Sequence, residues 1–341
     1  MDPHTPGYAL CVIKNGQIID QKFEGLADLS VGSKIQSQTV FRMASVSKQF
    51  TAMVILMLAE KGLLSLEDRL NDFLGDCCSA YQDVTLKHLL THTSGIWDYE
   101  PLISANQKEQ LSDHDAWLLV NFKAETYFKP GERFKYSNTA YCILTLVAEH
   151  VAEKPYDELI HEMLFVPLGM RSSMIYNQQK EMTNRALGYA VLKDGFRMND
   201  QSITSATKGD GCVYTSIEDY QRWHHSFYHH VFLSSELFKE STSAQVEVNN
   251  GMGYGYGWFV GKEVDGTDCF FHSGETSGFM NIVYHNLEKR LMISVFTNRN
   301  DNLVSEVFES AAKKQAVQLA FEGVNASKVT LFEWLAKQYM S

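Results

Sequence analysis

A chain of 341 residues, 45% hydrophobic and 12% aromatic, carries enough apolar material for one large domain or two interleaved ones. Its net charge of -11 argues against nucleic acid, which needs a basic face, and against an anionic membrane surface. The longest uninterrupted apolar run, Ala52 to Ala59, has eight residues, far below the roughly 18 that a bilayer span requires.

In chain order, the opening "MDPHTPGYALCVIKNGQII" has neither a basic n-region nor an apolar h-region, so it does not read as a secretory signal. The chain as given is therefore expected in the cytoplasm, or in the periplasm or outside the cell if a leader has been removed. "YALCVIK" and "QIIDQKF" flank Asn15-Gly16, a pair suited to a tight turn with positive φ, and predict a hairpin over 8–24. Residues 45–62 read as a helix, capped by Ser45 or Ser47, apolar through Met53, Ile55, Leu56 and Leu58, and stopped by Gly62. "LLSLEDRLNDFLG" and "VTLKHLLTHTSG" continue in helix-and-turn style, as do 113–122, 139–153 and 155–166. Strand character returns in "YGYGWFVG", "DCFFHSG", "FMNIVYHN" and "RLMISVFTN", which are rich in β-branched and aromatic residues and separated by turns. An amphipathic segment from Leu303 to Phe321 reads as helix.

Strands at both ends with helices between predict an α+β fold. The hairpin is expected to join the late strands in one antiparallel sheet, with helices flanking it and an all-helical subdomain inserted. The expected bounds are a single catalytic domain over 1–322, its sheet part about 7–60 and 205–322, its helical part about 61–204, and a helical tail over 323–341. A cleft between the two parts is the default place for a site.

Ser-x-x-Lys occurs three times, as Ser45/Lys48, Ser205/Lys208 and Ser310/Lys313. A serine hydroxyl is a poor nucleophile until a base takes its proton, and residues i and i+3 share a helix face. Only Ser45 stands at a helix start, where free N–H groups and the helix dipole can hold an oxyanion and keep a nearby lysine neutral. Ser205/Lys208 precedes the turn "GDG" and Ser310/Lys313 lies mid-helix, so both read as surface coincidences. Tyr-x-Asn occurs at Tyr136/Asn138 and again at Tyr284/Asn286. A phenol can pass a proton if neighbouring cations lower its pKa, and an asparagine amide can hold a substrate carbonyl and bond the lysine; the bland reading is a turn tyrosine with a capping asparagine. His-x-Gly occurs once, at His272 to Gly274, closing a strand; a glycine there lets substrate backbone lie along the edge, and the N–H of Glu275 can donate to an oxyanion.

The ordered set Ser-x-x-Lys, Tyr-x-Asn and His-x-Gly resembles the serine β-lactamase and penicillin-binding-protein superfamily. "GLADLSVGSKIQSQTVFRMASVSKQFTAMVILMLAEKGLLSLEDRL", "VTLKHLLTHTSGIWDY", "PLGM" and "GDGCVYTSIEDYQRW" extend the likeness over about residues 7–300, within the branch of class C β-lactamases, DD-carboxypeptidases and β-lactamase-like esterases. The resemblance implies Ser45 as acylated nucleophile, Lys48 as its activating partner and Tyr136 as proton shuttle. Asn138 would contact substrate, His272 and Gly274 would line the opposite wall, and the Ser45 and Glu275 N–H groups would form the oxyanion hole. It implies no metal and no organic cofactor, and a small-molecule or peptide substrate. Members of this branch that hydrolyse β-lactams usually carry lysine where His272 stands, so D-Ala-D-Ala-type peptides or small esters are expected ahead of penicillins. The alternatives are a class C-like β-lactamase and a catalytically silent binding or scaffold protein.

Other features point elsewhere or nowhere. The six cysteines, Cys11, Cys77, Cys78, Cys142, Cys212 and Cys269, contain no Cys-x-x-Cys and read as reduced thiols. In "WHHSFYHH" the pair His225/His229 is at metal-ligand spacing, yet no carboxylate or cysteine accompanies it, so His224, His225, His229 and His230 read as a solvated helix face. There is no His-Glu-x-x-His and no Gly-x-Ser-x-Gly. Trp97, Asp98 and Tyr99 either roof a cleft or anchor a loop, and Asp210 has a place near the site by resemblance but no assigned role.

Overall fold

The structure, a computed structural model, describes residues 2–177, 182–321 and 330–339. Its centre is an antiparallel sheet of eight strands: β1 (Tyr8–Lys14), β2 (Gln17–Glu24), β3 (Val246–Asn249), β4 (Met252–Tyr254), β5 (Phe259–Lys262), β6 (Asp268–Thr276), β7 (Phe279–Asn286) and β8 (Leu291–Thr297). They lie in the order β3-β4-β5-β6-β7-β8-β1-β2. The N-terminal hairpin does join the late strands, Tyr8 pairing with Thr297 and Lys14 with Leu291. Its turn forms because Asn15 and Gly16 adopt φ of 54° and 76°.

Strand period explains the two faces. Ala9, Cys11, Ile13, Phe270, Val283, Met292 and Phe296 enter one buried cluster. Leu10, Val12, Phe271, Ile282, Tyr284, Ile293 and Val295 enter the other. The first cluster packs on helix α1 (Lys48–Glu60), with α2 (Asp113–Lys123) and α3 (Asn138–Ala152) beyond it and α4 (Ile217–Ser226) also against the sheet. The second is covered by α5 (Leu303–Lys314) and α6 (Leu331–Gln338). The α+β expectation is met. Helix α1 is buried on all sides from Lys48 to Leu58, which is why its sequence shows an apolar run rather than a stripe. Phe50, Val54 and Ile55 are fully buried, a gain of roughly 1.5–3 kcal/mol each. Its end follows the sequence reading: Gly62 takes φ of 68° and Leu63 N donates to the Leu58 carbonyl.

Several expectations need correction. Helix α5 ends at Lys314, not Phe321, because Ala316 turns to φ of 57° and the chain after it runs alongside β5, Ala320 N donating to the Lys262 carbonyl and Val264 N to Gln318. Strand β3 and a three-stranded sheet of Val40–Arg42, Val213–Ser216 and Met174–Ile175 were not expected. Within the helical tail, Leu331–Gln338 is helix; residues 322–329, 340 and 341 lie outside the described residues. All six cysteines are free thiols, four of them buried. No described helix is long and apolar enough to cross a membrane.

Candidate active site

Ser45 does not begin an α-helix directly. It sits in a single 3-10 turn, Ala44–Ser47, that leads into α1. Ala44 is held at φ of 49°, a left-handed conformation that costs a non-glycine residue energy and turns the chain sharply before Ser45. Two neighbours hold this turn. Met43 N donates to the Val213 carbonyl, and Ser47 Oγ accepts from Val213 N at 3.1 Å, so Ser47 ties the turn to the small sheet instead of capping the helix.

Strand β6 approaches from the other side. A Cβ added to Gly274 would lie 2.2 Å from the Met43 carbonyl oxygen and 2.9 Å from Ser45 N. Glycine is required there by the Ser45 turn itself, which the sequence reading had not foreseen. Glu275, the next residue, has an exposed side chain at the rim.

Lys48 is completely buried. Its Nζ lies 3.0 Å from Ser45 Oγ, 2.8 Å from Asn138 Oδ1 and 3.0 Å from the Asp210 carbonyl oxygen. Burial lowers its pKa, with Asp210, Asp98 and Glu100 opposing that shift. When neutral, the amine donates to two of its three neighbours and can accept the Ser45 proton. The pairing of Ser45 with Lys48 and of Lys48 with Asn138 is as the motif spacing suggested. The Asp210 contact uses a main-chain oxygen, which no side-chain motif could reveal.

Tyr136 is buried beside them, its ring 4.9 Å from Lys48 Nζ. Burial raises its pKa well above that of an ordinary phenol, the nearby Ser45 hydroxyl offsetting part of the effect. This reverses the expectation of a cation-lowered phenol: burial favours the neutral hydroxyl over the phenolate. The cap of α3 is Ser137, whose Oγ accepts from Ala140 N; Asn138 is free for the lysine and donates from Nδ2 to Glu100 Oε1 at 3.1 Å. Partial burial of the Glu100 carboxyl, with Asp98 and Asp210 nearby, pushes its pKa up to about 7, although its outer side is open to solvent.

His272 is not at an open wall. Its side chain has no exposure, Nδ1 donates to the Ser273 carbonyl at 2.6 Å and Nε2 accepts from the Tyr254 hydroxyl at 3.2 Å. Burial, with Lys48 adding to it, pushes the imidazole down to about 3, so it is neutral at ordinary pH. His92, which the sequence reading passed over, lies with its ring 4.4 Å from that of Tyr136 at a tilt of 34°, its Nδ1 accepting from Ser137 N. Its only signal was its place in "HTSG". Four buried polar atoms near Ser45 have no hydrogen-bond partner among the described residues: His92 Nε2, Tyr136 Oη, Asp210 Oδ1 and Asn281 Oδ1. Orphaned polar atoms are costly in a packed interior, and these four belong to residues grouped about the Ser45 turn and Lys48.

The remaining candidates have other partners. Trp97 stacks on Tyr127 at 4.6 Å, Asp98 Oδ1 accepts from Thr139 N and Oγ1, and Tyr99 is buried, so this segment anchors a loop and does not roof the cleft. Ser205 is not a surface residue: it is buried and its Oγ accepts from Arg42 at 2.6 Å, while Lys208 turns to Glu149 and Asp157. Ser310 and Lys313 are exposed, as expected. Of the four histidines, His225, His229 and His230 are exposed, but His224 is buried with its Nδ1 3.0 Å from Nδ1 of His285. No group of three metal-ligating side chains occurs among the described residues.

A sequence model of the family described as Beta-lactamase matches residues 1–318. Penicillin-binding protein 4* of Bacillus subtilis is 29% identical over 94% of this chain and 73% of its own length. Protein flp of Staphylococcus aureus is 26% identical over 90% of this chain, which spans 62% of that protein. The crystal structure of a penicillin binding protein from Bacillus halodurans superposes with a TM-score of 0.82 at 28% identity, covering 91% of this chain and 97% of that one. The match over nearly the whole length, on a sheet and helices arranged alike, shows that the chain belongs to the β-lactamase family, serine hydrolases of the penicillin-binding-protein fold.

Proposed function

We propose that the protein hydrolyses D-Ala-D-Ala-type peptides or small esters and amides through an acyl-enzyme on Ser45. The observation that carries this reading is the 3.0 Å approach of a buried Lys48 amine, its pKa lowered by burial, to Ser45 Oγ. Lys48 Nζ takes the Ser45 proton as Oγ bonds to the substrate carbonyl carbon. The oxygen that gains the electron pair lies towards the Ser45 and Glu275 N–H groups. Collapse breaks the bond to the leaving group, which takes a proton from the Tyr136 hydroxyl, and Lys48 returns one to Tyr136. Water then attacks the acyl-enzyme by the reverse sequence. Asn138 keeps Lys48 in place and offers its amide to the acyl side.

The neutral His272 supplies no fixed cation for a β-lactam carboxylate, which weighs against a class C-like β-lactamase. Incubation with a fluorescent penicillin tests the assignment. A stable label on Ser45 supports the peptidase reading and rapid turnover supports the β-lactamase. Failure to label, with activated esters hydrolysed, supports the esterase. If esters, D-amino-acid amides and penicillins all remain intact, the enzyme reading falls and a binding or scaffold role takes its place.

A further inference from the structure

Helix α6 brings a side chain to this cleft that the motifs do not include. The helix is capped by Thr330, whose Oγ1 accepts from Glu333 N, and is fixed to the outer face of the sheet by Trp334. That indole is buried edge-on to Phe259 and Phe271, at 5.4 and 6.1 Å, and its Nε1 donates to Asn249 Oδ1 at 2.7 Å. Gln338, also buried, accepts from Asn249 Nδ2 at 2.6 Å and donates to the Trp334 carbonyl. Residues on two successive turns thus lock onto one asparagine of β3, which gives the helix a fixed register and leaves the next residue, Tyr339, a defined position.

Tyr339 lies across the site. Its ring meets Tyr136 edge-on at 4.7 Å, and its hydroxyl lies 2.8 Å from Ser273 Oγ and donates to the Ser273 carbonyl at 3.1 Å. Ser273 stands between His272 and Gly274, and Gly274 is the residue pressed against the Ser45 turn. The phenol therefore bridges the proposed proton relay and the strand beside the nucleophile. Burial keeps it neutral, with Tyr136 and Glu275 adding to the effect. Tyr254, in the same cluster, is fully enclosed, whereas Tyr339 is partly exposed. Its ring thus lies against Tyr136 and its hydroxyl on Ser273, next to the Gly274 that meets the Ser45 turn.

We infer that Tyr339 is a specificity-determining residue that limits the size of the group a substrate can place along Ser273 beside Tyr136. This rests on the acyl-enzyme reading above and narrows its substrate class to the small esters and amides, away from D-Ala-D-Ala-type peptides, whose acyl part is a peptide chain: small acyl groups are accepted and long or aromatic ones are excluded by the ring. The hydroxyl anchors the ring through Ser273, and Trp334 and Gln338 hold the helix that carries it.

The test compares the wild type, Tyr339→Phe and Tyr339→Ala with p-nitrophenyl acetate and p-nitrophenyl 4-phenylbutyrate, alongside melting temperatures. Tyr339→Ala is expected to raise kcat/KM for the bulky ester by about tenfold, chiefly through KM, while acetate changes less than about twofold, in the range that pocket size commonly controls. Tyr339→Phe keeps the ring and should resemble the wild type. A parallel change for both esters, or a fall in kcat at constant KM, overturns the inference and leaves Tyr339 as packing. Ser45→Ala in the same assay separates the two levels: ester turnover surviving that change defeats the acyl-enzyme reading. Calorimetric binding of acetamide and 4-phenylbutyramide needs no turnover. An unchanged preference between them in Tyr339→Ala defeats the size filter even if neither ester is hydrolysed.

Discussion

The Asn138 side-chain oxygen stands 2.8 Å from Lys48 Nζ and so joins the start of one helix to the start of another. Helix α1 supplies the lysine and α3 the asparagine, and the contact fixes the amine where it meets Ser45 Oγ. The same asparagine reaches Glu100 with its amide nitrogen. Any change of charge at Glu100 is therefore felt by the proposed base.

The pH profile should show this coupling. Lys48 acts as a base only when neutral, so kcat/KM for a neutral ester rises with pH through the Lys48 pKa, which burial holds below the ordinary lysine value. Glu100 is one of the charges that raise that pKa. Glu100→Gln removes the charge, and the rising limb is expected to move to lower pH. His272→Gln should leave the limb where it is, because an imidazole held at about 3 does not titrate in the assay range. A limb that moves only with His272 would identify the wrong base.

Ser45→Ala should abolish turnover and leave the fold intact. The residue is partly exposed, lies in a tight turn and contributes little packing. Loss of a covalent nucleophile costs many powers of ten in rate. Residual activity above a few per cent, with an unchanged melting temperature, would contradict the assignment.

The two other Ser-x-x-Lys pairs should now behave differently from each other. Ser310→Ala is at the surface and should change neither activity nor stability by a measurable amount. Ser205→Ala removes a buried acceptor from Arg42, which keeps its bond to the Gly211 carbonyl. A loss of roughly 1–3 kcal/mol in urea unfolding is expected, with activity per folded molecule nearly retained. Complete inactivation with a normal unfolding curve would point to Ser205 as a second nucleophile.

Gly274→Ala tests the close approach of strand and turn. The new Cβ would collide with the Met43 main-chain carbonyl, which no rotamer change can relieve. The Ser45 turn must move by a substantial part of an ångström, and a displacement of that kind typically lowers kcat about 100-fold. Wild-type kcat in a folded Gly274→Ala variant would show that the turn is not held by β6.

Local signals carried much of this fold in the sequence. Asn15-Gly16 set the hairpin, the apolar run and Gly62 set α1, and three spaced motifs singled out Ser45, Lys48, Tyr136 and Asn138. The unread parts depend on contacts between distant segments. Strands such as Val40–Arg42 and Met174–Ile175 are too short for a period of two to be detected. Ser205 looked like surface because its partner, Arg42, is 163 residues away in sequence. The neutrality of His272 and Tyr136 follows from burial, which a motif does not encode. Asp210 contributes a carbonyl, a group that every residue possesses.

Strand β1 pairs on one side with β2, the next strand in the chain, and on the other with β8. Tyr8 thus waits for Thr297 before its second edge is closed. During synthesis the hairpin can form early, but it exposes an apolar open edge until Thr297 has emerged, a state prone to misassembly. The strand that presses Gly274 against the Ser45 turn arrives late as well. Nucleophile and opposing strand can therefore meet only after both of these distant segments have been made.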